Sequence, residues 1–324
     1  MPEDEQERGG VANERIAALL RELGWSEHNM NVDVPCTSGV HTDRSNDHGV
    51  DGYFSYEDPY GKPERGVFVE SKIMEWSNIN STEVGKAVSQ SLEVMECVPE
   101  ADEFETRLNS HENRNYHYGL VSMWASDEFY ESDFQTYVSE APAKRRDRGT
   151  YRTVVLGNSE LNKLARISKE FQDLDSEDDD GDNAYFYYPS MVDKPYPHKL
   201  KSLSLEYMAS DIIFAQIESP TTVDGEPVGV DETNIVFHSG DFTVETLDVV
   251  FQSLVNYNLL DTDEVQIYYD NEALDRGIQD ISSAKSLFRE NVAPDEDESP
   301  EFTFKELPSV SYDGYTNRLM EDNQ

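Results

Sequence analysis

The fold of this chain is decided by one short apolar run, Val67-Phe68-Val69-Glu70-Ser71-Lys72-Ile73, set in a very acidic sequence. Its β-branched and aromatic residues predict a strand. Because successive strand side chains alternate between faces, Glu70 and Lys72 share the face of Phe68, and Ser71 points to the other face. A carboxylate and an ammonium at the end of an apolar strand are costly to desolvate. The pair therefore indicates a chemical role, such as holding a hard cation and orienting water or phosphate.

The acidic composition limits the classes of protein to which this chain can belong. Asp and Glu total 67 against 26 Lys and Arg, a net charge of −41, while 37% of residues are apolar and 11% aromatic. This balance predicts a folded protein with a carboxylate-covered surface, which tolerates its self-repulsion where molar salt shortens the Debye length. We interpret the chain as a cytoplasmic protein of an extreme halophile, or of a virus or element living in one. On that interpretation the net charge does not exclude a nucleic-acid partner, and only local basic features bear on it.

The sequence carries no sign of a membrane or of secretion. No apolar run approaches membrane-spanning length, and the start, MPEDEQERGG, has neither a basic nor an apolar leader region. We therefore expect no membrane partner.

Two sets of residues have side chains that can bind metals, but their spacing in the sequence gives little support for a metal site. Cys36 and Cys97 form no metal-binding spacing and no disulfide framework, so we expect buried or idle thiols. A second set could bind a transition metal by ligand type, but it lacks fixed spacing, and we favour a polar loop flanking the site. This second set is His41, Asp43, Asp47 and His48.

Periodicity predicts an α/β region followed by an acidic segment and a second pattern of strands and helices. We expect a first domain over 1–172, an acidic linker over 173–183, and an α+β domain of unknown role over 184–324. The predicted elements of the first domain are a helix from Val11 to Trp25, strands at 31–35, 49–56 and 67–73, a helix from about Ser81 to Val98, strands at 116–125 and 151–156, and a helix from Leu161 to Leu174.

The order of acidic residues on these elements resembles the PD-(D/E)xK nuclease superfamily, whose fold is the restriction-endonuclease-like fold. Glu14 lies on the first helix, Asp51 on a strand, Glu70-x-Lys72 on the next strand and Gln90 on the following helix. The resemblance covers about residues 11 to 156 and implies a central mixed sheet flanked by helices. Val50 stands where the family name has Pro, a departure that is common in the superfamily.

The resemblance implies a role for each matching residue. Asp51 and Glu70 would hold a divalent cation, Mg²⁺ or Mn²⁺, with help from the Ser71 carbonyl. Lys72 would orient or help deprotonate the attacking water and balance charge on the phosphate. Phosphodiester cleavage needs these parts in any fold, because it requires a Lewis acid, an activated water and neutralisation of transition-state charge.

Two further residues would support the site by the same resemblance. Glu14 would assist the metal site or a second cation, and Gln90 would contact the metal-bound water or DNA. Each candidate also has a plain structural explanation. Glu70 and Lys72 could be a cross-strand ion pair, Asp51 a loop residue, and Glu14 and Gln90 parts of solvated helix faces.

One basic cluster interrupts the acidic sequence: Lys144, Arg145, Arg146, Arg148 and Arg152. It either pairs with neighbouring acids in a solvated loop or contacts phosphates of nucleic acid.

The favoured function is that of a Mg²⁺-dependent deoxyribonuclease in restriction, defence, or repair and recombination. Two alternatives remain: a catalytically silent subunit of the same fold that binds DNA or a partner, and a structural or interaction protein of a haloarchaeal virus or plasmid. A homo-oligomer or a partner subunit is compatible with each.

Overall fold

The chain divides into two compact units, residues 1–165 with 310–324, and residues 166–309. The last segment thus belongs with the first unit, whereas the sequence placed 184–324 together. The computed structural model describes all residues except 1, 37–40, 42–46, 62–63, 98–115, 143–149, 176–182, 192–196, 224–225, 242, 271–277, 292–299 and 323–324. Most of the predicted acidic linker lies outside the described residues.

The first unit is built on a five-stranded mixed sheet in the order β1-β2-β3-β4-β5. Strands β1, β2 and β3 are antiparallel, and β3, β4 and β5 are parallel. This confirms the predicted mixed sheet flanked by helices. The elements are α1 (Pro2–Glu22), β1 (Ser26–Val34), β2 (His48–Tyr56), β3 (Arg65–Met74), a 3₁₀ turn (Trp76–Asn78), α2 (Ser81–Cys97), β4 (Tyr118–Ala125), α3 (Glu131–Ser139), β5 (Arg152–Leu156), α4 (Asn158–Leu174) and, at the chain end, α8 (Tyr312–Asp322).

The hairpin that joins β2 to β3 is closed by local polar contacts. Asp58 accepts a hydrogen bond from the Tyr60 backbone N–H at 3.0 Å, the short-range bond of an Asx turn. The same carboxylate pairs with Arg65 at 2.5 Å, at the start of β3. Arg65 also lies over the ring of Tyr118, 4.2 Å from its centroid, which fixes the hairpin against β4.

Helices α1 and α2 cover opposite faces of this sheet. The Ser71 hydroxyl donates to the Ala12 carbonyl of α1 at 3.1 Å, whereas Phe68 packs in a cluster with Leu92 and Met95 of α2. This confirms the predicted alternation of β3. Gly119 allows the close approach of α2 to β4, because a Cβ there would lie 2.3 Å from the Ser91 hydroxyl.

The ends of α1 and α2 follow sequence signals. Gly24 has φ 79°, and the Trp25 N–H donates to the Leu20 carbonyl at 2.9 Å, so α1 ends in the left-handed conformation that glycine favours. Asn80 caps α2, because its side-chain oxygen accepts from the backbone N–H groups of Thr82 and Glu83 at 3.0 and 3.2 Å.

Three features of the first unit differ from the prediction. Strand β1 begins at Ser26 instead of residue 31. Helix α1 begins at Pro2 instead of Val11, because the sequence before Val11 has no apolar stripe for periodicity to detect. Helix α3 was not predicted, because Phe134 is its single buried side chain and one position makes no stripe.

The second unit is a six-stranded mixed sheet in the order β11-β10-β9-β8-β6-β7. Strands β8 and β9 form a long antiparallel hairpin, while β9, β10 and β11 are parallel and joined through helices. This confirms the predicted C-terminal α+β architecture. The elements are β6 (Asn183–Tyr188), β7 (His198–Leu200), α5 (Leu205–Met208), β8 (Ile212–Val223), β9 (Glu226–His238), α6 (Val244–Asn256), β10 (Glu264–Tyr269), α7 (Ile278–Asn291) and β11 (Glu301–Glu306).

Among the described residues, no helix combines the length and the apolar character needed to cross a membrane.

Candidate active site

Asp51 and Glu70 meet across the β2–β3 hairpin. Gly52 pairs with Val69 and Tyr53 with Phe68, so the same antiparallel register, continued by one residue, sets Asp51 opposite Glu70. Side chains directly opposite each other on antiparallel strands lie on one face, and here that face is the one covered by α2. Asp51 is held in place by its Oδ2, which accepts a hydrogen bond from the Ser71 backbone N–H at 2.9 Å.

Glu70 is a buried carboxylate bound to Lys72. Its Oε1 accepts from the Lys72 Nζ at 2.8 Å, and the residue is only 4% exposed. Burial raises the pKa of Glu70 to about 7, the attraction of Lys72 opposes this rise, and the neighbouring charge of Asp51 adds to it. At neutral pH the site therefore holds a carboxylate that gains from a further positive charge.

Lys72 remains a cation in this setting. Burial lowers the pKa of Lys72. The combined attraction of Glu70, Asp51 and Glu83 outweighs this effect, so the pKa of Lys72 lies above the ordinary value of 10.5. A half-buried ammonium under the influence of three carboxylates offers a fixed positive charge and hydrogen-bond donors. As an ammonium, Lys72 already carries its proton and cannot accept another.

The influence of Glu83 on Lys72 identifies the face of α2 that looks toward the cluster. Gln90 lies seven residues after Glu83, two helical turns along the same face, and is half-buried. Helical spacing thus turns Gln90 to the side of the predicted site. Glu83 itself was not singled out from the sequence, because nothing in a Glu-rich chain marks one helical acid over another.

Glu14 occupies a different position from the other candidates. It lies on α1, which packs on the opposite face of the sheet through the Ala12 carbonyl and Ser71, and its own side chain is exposed. No hydrogen bond or ion pair joins Glu14 to Asp51, Glu70 or Lys72 in the described part of the chain.

The donor set suits a hard divalent cation. Two carboxylates face each other, and the carbonyl of Ser71 lies in the same segment of strand as Glu70. Oxygen ligands of this kind are those that Mg²⁺ and Mn²⁺ prefer in proteins. The raised pKa of Glu70 adds a physical reason, because a bound cation would remove the unfavourable charge of the buried site.

Most of the predicted basic cluster falls outside the described residues, including Lys144, Arg145, Arg146 and Arg148. Arg152 is described. It is exposed at the first position of β5, and its backbone N–H donates to the His117 carbonyl at 2.9 Å.

The structure corrects the interpretation of the cysteines and of the polar loop. Cys36, His41, His48 and Cys97 converge, with one ligand atom from each within 4.8 Å of all the others. Cys97 is buried, as expected, and Cys36 is half-buried, but two of the loop histidines lie beside them, so the four side chains could hold a metal ion. Asp47 is exposed, and Asp43 lies outside the described residues. Spacing could not reveal this group, because Cys97 lies 49 residues after His48, at the end of α2, and meets the stretch 36–48 only in the folded chain.

The comparisons with known proteins bear on the first unit. Residues 1–160 match the family model described as "GAPS4 protein PD-(D/E)XK nuclease domain". No curated protein matches the chain. The matched range contains the mixed sheet, α1, α2 and the cluster of Asp51, Glu70 and Lys72. The N-terminal domain of this chain therefore belongs to the PD-(D/E)xK nuclease superfamily.

Proposed function

We propose that the first unit hydrolyses DNA phosphodiester bonds with the help of Mg²⁺ or Mn²⁺, in restriction, in defence against foreign DNA, or in repair. The observation that carries the proposal is the clustering of Asp51 and Glu70 on one face with Lys72, bonded to Glu70 at 2.8 Å. A plain cross-strand ion pair does not account for a second carboxylate opposite a buried one, since like charges placed together destabilise a sheet.

In this proposal the cation is held by Asp51, Glu70 and the Ser71 carbonyl. When bound, it would act as a Lewis acid on the phosphate and lower the pKa of a coordinated water. The backbone N–H of Ser71 keeps the Asp51 carboxylate at a fixed orientation, so the two acidic residues are preorganised before substrate arrives.

Lys72 acts in the proposal as an electrostatic and positioning group. Its pKa is raised by Glu70, Asp51 and Glu83, so it stays protonated at neutral pH and is poorly suited to remove a proton from water. It would instead donate hydrogen bonds to the attacking water or to a phosphate oxygen and offset the charge that develops there. Of the two roles for Lys72 that the family resemblance implies, this argument favours orienting the water over deprotonating it.

Gln90 would assist from α2, where it could orient the water or contact the nucleic-acid backbone. The exposed position of Glu14, on the helix covering the other face, supports a smaller contribution. The basic cluster from Lys144 to Arg152 would supply phosphate contacts that offset repulsion between DNA and an acidic protein.

The test is degradation of plasmid DNA at high salt with Mg²⁺ or Mn²⁺, comparing wild type with Asp51→Ala, Glu70→Ala and Lys72→Ala. We expect each variant to lose cleavage while keeping the circular dichroism spectrum of the wild type. Glu131→Ala, which removes an exposed acid at the start of α3, is the matched control and should cut normally.

Undiminished cutting by any of the three variants would remove that residue from the site. A wild-type protein that binds DNA but never cuts it with either metal would favour the silent binding subunit. Parallel assays on RNA and on single-stranded DNA would define the substrate, and degradation of RNA alone would contradict a DNA nuclease.

A further inference from the structure

A second set of metal-ligand side chains lies in the first unit, apart from the carboxylates of the candidate active site. Cys97 Sγ lies 3.2 Å from His41 Nδ1 and 3.2 Å from His48 Nε2. Cys36 Sγ lies 3.6 Å from His41 Nδ1 and 4.0 Å from Cys97 Sγ. His41, His48 and Cys97 are at most 1% exposed, and Cys36 is half-buried.

We infer that Cys36, His41, His48 and Cys97 bind one zinc ion in a closed tetrahedral site. Two thiolates and two imidazoles are a common ligand set of structural zinc sites. Zn–S bonds near 2.3 Å and Zn–N bonds near 2.0 Å give a tetrahedron with ligand–ligand edges of about 3.3–3.8 Å. Four of the six separations lie between 3.2 and 4.0 Å, and all six are within 4.8 Å, so small side-chain movements would complete the tetrahedron around an ion.

The groups behind the two histidines strengthen the assignment. His41 turns Nδ1 toward the thiols, and its Nε2 lies 2.6 Å from Glu96 Oε2. His48 turns Nε2 toward Cys97, and its Nδ1 lies 3.9 Å from Glu93 Oε2. A carboxylate behind a metal-binding histidine fixes the tautomer and raises the basicity of the ligand nitrogen. His41 thus presents one nitrogen to the cluster and the other to a buried acid at hydrogen-bond distance, whereas Glu93 lies near His48 but beyond that distance.

Other uses of these side chains fit less well. A disulfide needs sulfurs about 2.05 Å apart, but those of Cys36 and Cys97 are 4.0 Å apart. An iron–sulfur cluster with two histidines places its cysteines and histidines on different iron atoms. Here Cys97 Sγ is equally close to both imidazole nitrogens, which suits a single ion. With four protein ligands the site is closed, so its role is structural rather than catalytic.

The zinc would tie together β2 and α2, two of the three elements that carry the candidate active site. His48 is the first residue of β2, and Asp51 follows three residues later. Cys97 is the last residue of α2, the helix that carries Glu83 and Gln90. Because Cys36 lies two residues after the end of β1, the ion would also tie the end of this strand to β2 and α2. Zinc would therefore stabilise the first unit whether or not that unit cuts DNA.

The experiment measures zinc in the full chain purified at high salt without chelator, followed by replacement with Co²⁺ alone. We expect about one zinc ion per chain, and a Co²⁺ spectrum with the intense visible bands of tetrahedral coordination and a sulfur-to-metal charge-transfer band. The oxygen ligands of the active site cannot produce that band. Asp51→Ala should keep both signals, so failure of the nuclease proposal leaves this result untouched.

Variants assign the ligands. Cys36→Ser removes the most accessible thiol with little change in volume; it should bind zinc more weakly than wild type and show about half of the charge-transfer intensity when loaded with Co²⁺. His117→Ala, at an exposed histidine, is the matched control and should change neither. Glu96→Gln should keep the ligands but bind zinc about 10- to 100-fold more weakly in competition with a chelator.

Wild-type protein without zinc, and without a thiolate band after Co²⁺ is added, would overturn the inference. A disulfide between Cys36 and Cys97 detected by mass spectrometry of freshly purified protein would do the same. Should Cys36→Ser fail to fold, the wild-type stoichiometry and Co²⁺ spectrum decide the question by themselves.

Discussion

The buried charge of Glu70 makes a sharp prediction about the stability of the metal-free protein. Its pKa is raised to about 7 by burial, partly offset by Lys72 and increased by Asp51, against an ordinary value of 4.5. Below pH 4.5 the carboxyl is protonated in the folded and unfolded chains and contributes nothing. Between pH 4.5 and 7 the folded chain binds a proton that the unfolded chain has released, so the free energy of unfolding falls as pH rises.

The size of this fall follows from the shift. A shift of 2.5 pKa units corresponds to about 3 kcal/mol at 1.36 kcal/mol per unit, and the 4% exposure of Glu70 leaves little solvent to screen it. Glu70→Gln removes the titration. The ion pair with Lys72 is also lost, but its contribution is already contained in the pKa of Glu70, because Lys72 stays protonated throughout this interval.

The assay is denaturant unfolding of wild type and Glu70→Gln from pH 4.5 to 8.5, in chelator and at constant high salt. As pH rises, we expect the unfolding free energy of wild type to fall by about 3 kcal/mol relative to that of Glu70→Gln, and the difference to level off above pH 7.5. Mn²⁺ added at pH 8 should stabilise wild type more than the variant. If the difference in unfolding free energy did not depend on pH, or if wild type became relatively more stable as pH rises, Glu70 could not be a buried carboxylate next to Asp51.

Three further predictions concern the surface and the supporting residues. The melting temperature should rise from low salt to molar KCl, because screening relieves carboxylate repulsion, and a flat or falling curve in circular dichroism would contradict the halophile interpretation. Replacing Arg145, Arg146 and Arg148 together by Ala should weaken DNA binding evenly across sequences and flatten its salt dependence, so an unchanged affinity in titrations would exclude phosphate contact by this cluster. In cleavage assays Gln90→Ala should slow the reaction more than Glu14→Ala, because only Gln90 lies on the helix face that influences Lys72; the reverse order would contradict this placement.

The sequence was sufficient for the core of the nuclease domain because the decisive signals there are local. The β-branched run around Glu70, the Asp58 turn and the Gly24 stop each act within a few residues. Pairing β2 with β3 then follows from hairpin geometry, which brings Asp51 opposite Glu70 without long-range information.

Long-range contacts account for what the sequence did not predict. The proposed zinc ligands come from two stretches, 36–48 and the end of α2, which only the tertiary fold unites, so their spacing in the sequence does not identify them. The return of 310–324 to the first unit has the same cause. Its contacts include the Tyr312 N–H, which donates to Asn162 at 2.8 Å, and the ring of Tyr312, 5.1 Å from that of Trp124. No sequence pattern identifies Asn162 or Trp124 as a contact of Tyr312.

The most direct test of the proposed active site is the anomalous diffraction of a crystal soaked in Mn²⁺. We predict a peak between the carboxylates of Asp51 and Glu70, within ligand distance of both and of the Ser71 carbonyl, that disappears in the Asp51→Ala protein. A well-occupied Mn²⁺ elsewhere in the first unit, with Glu70 still bound only to Lys72, would contradict the account.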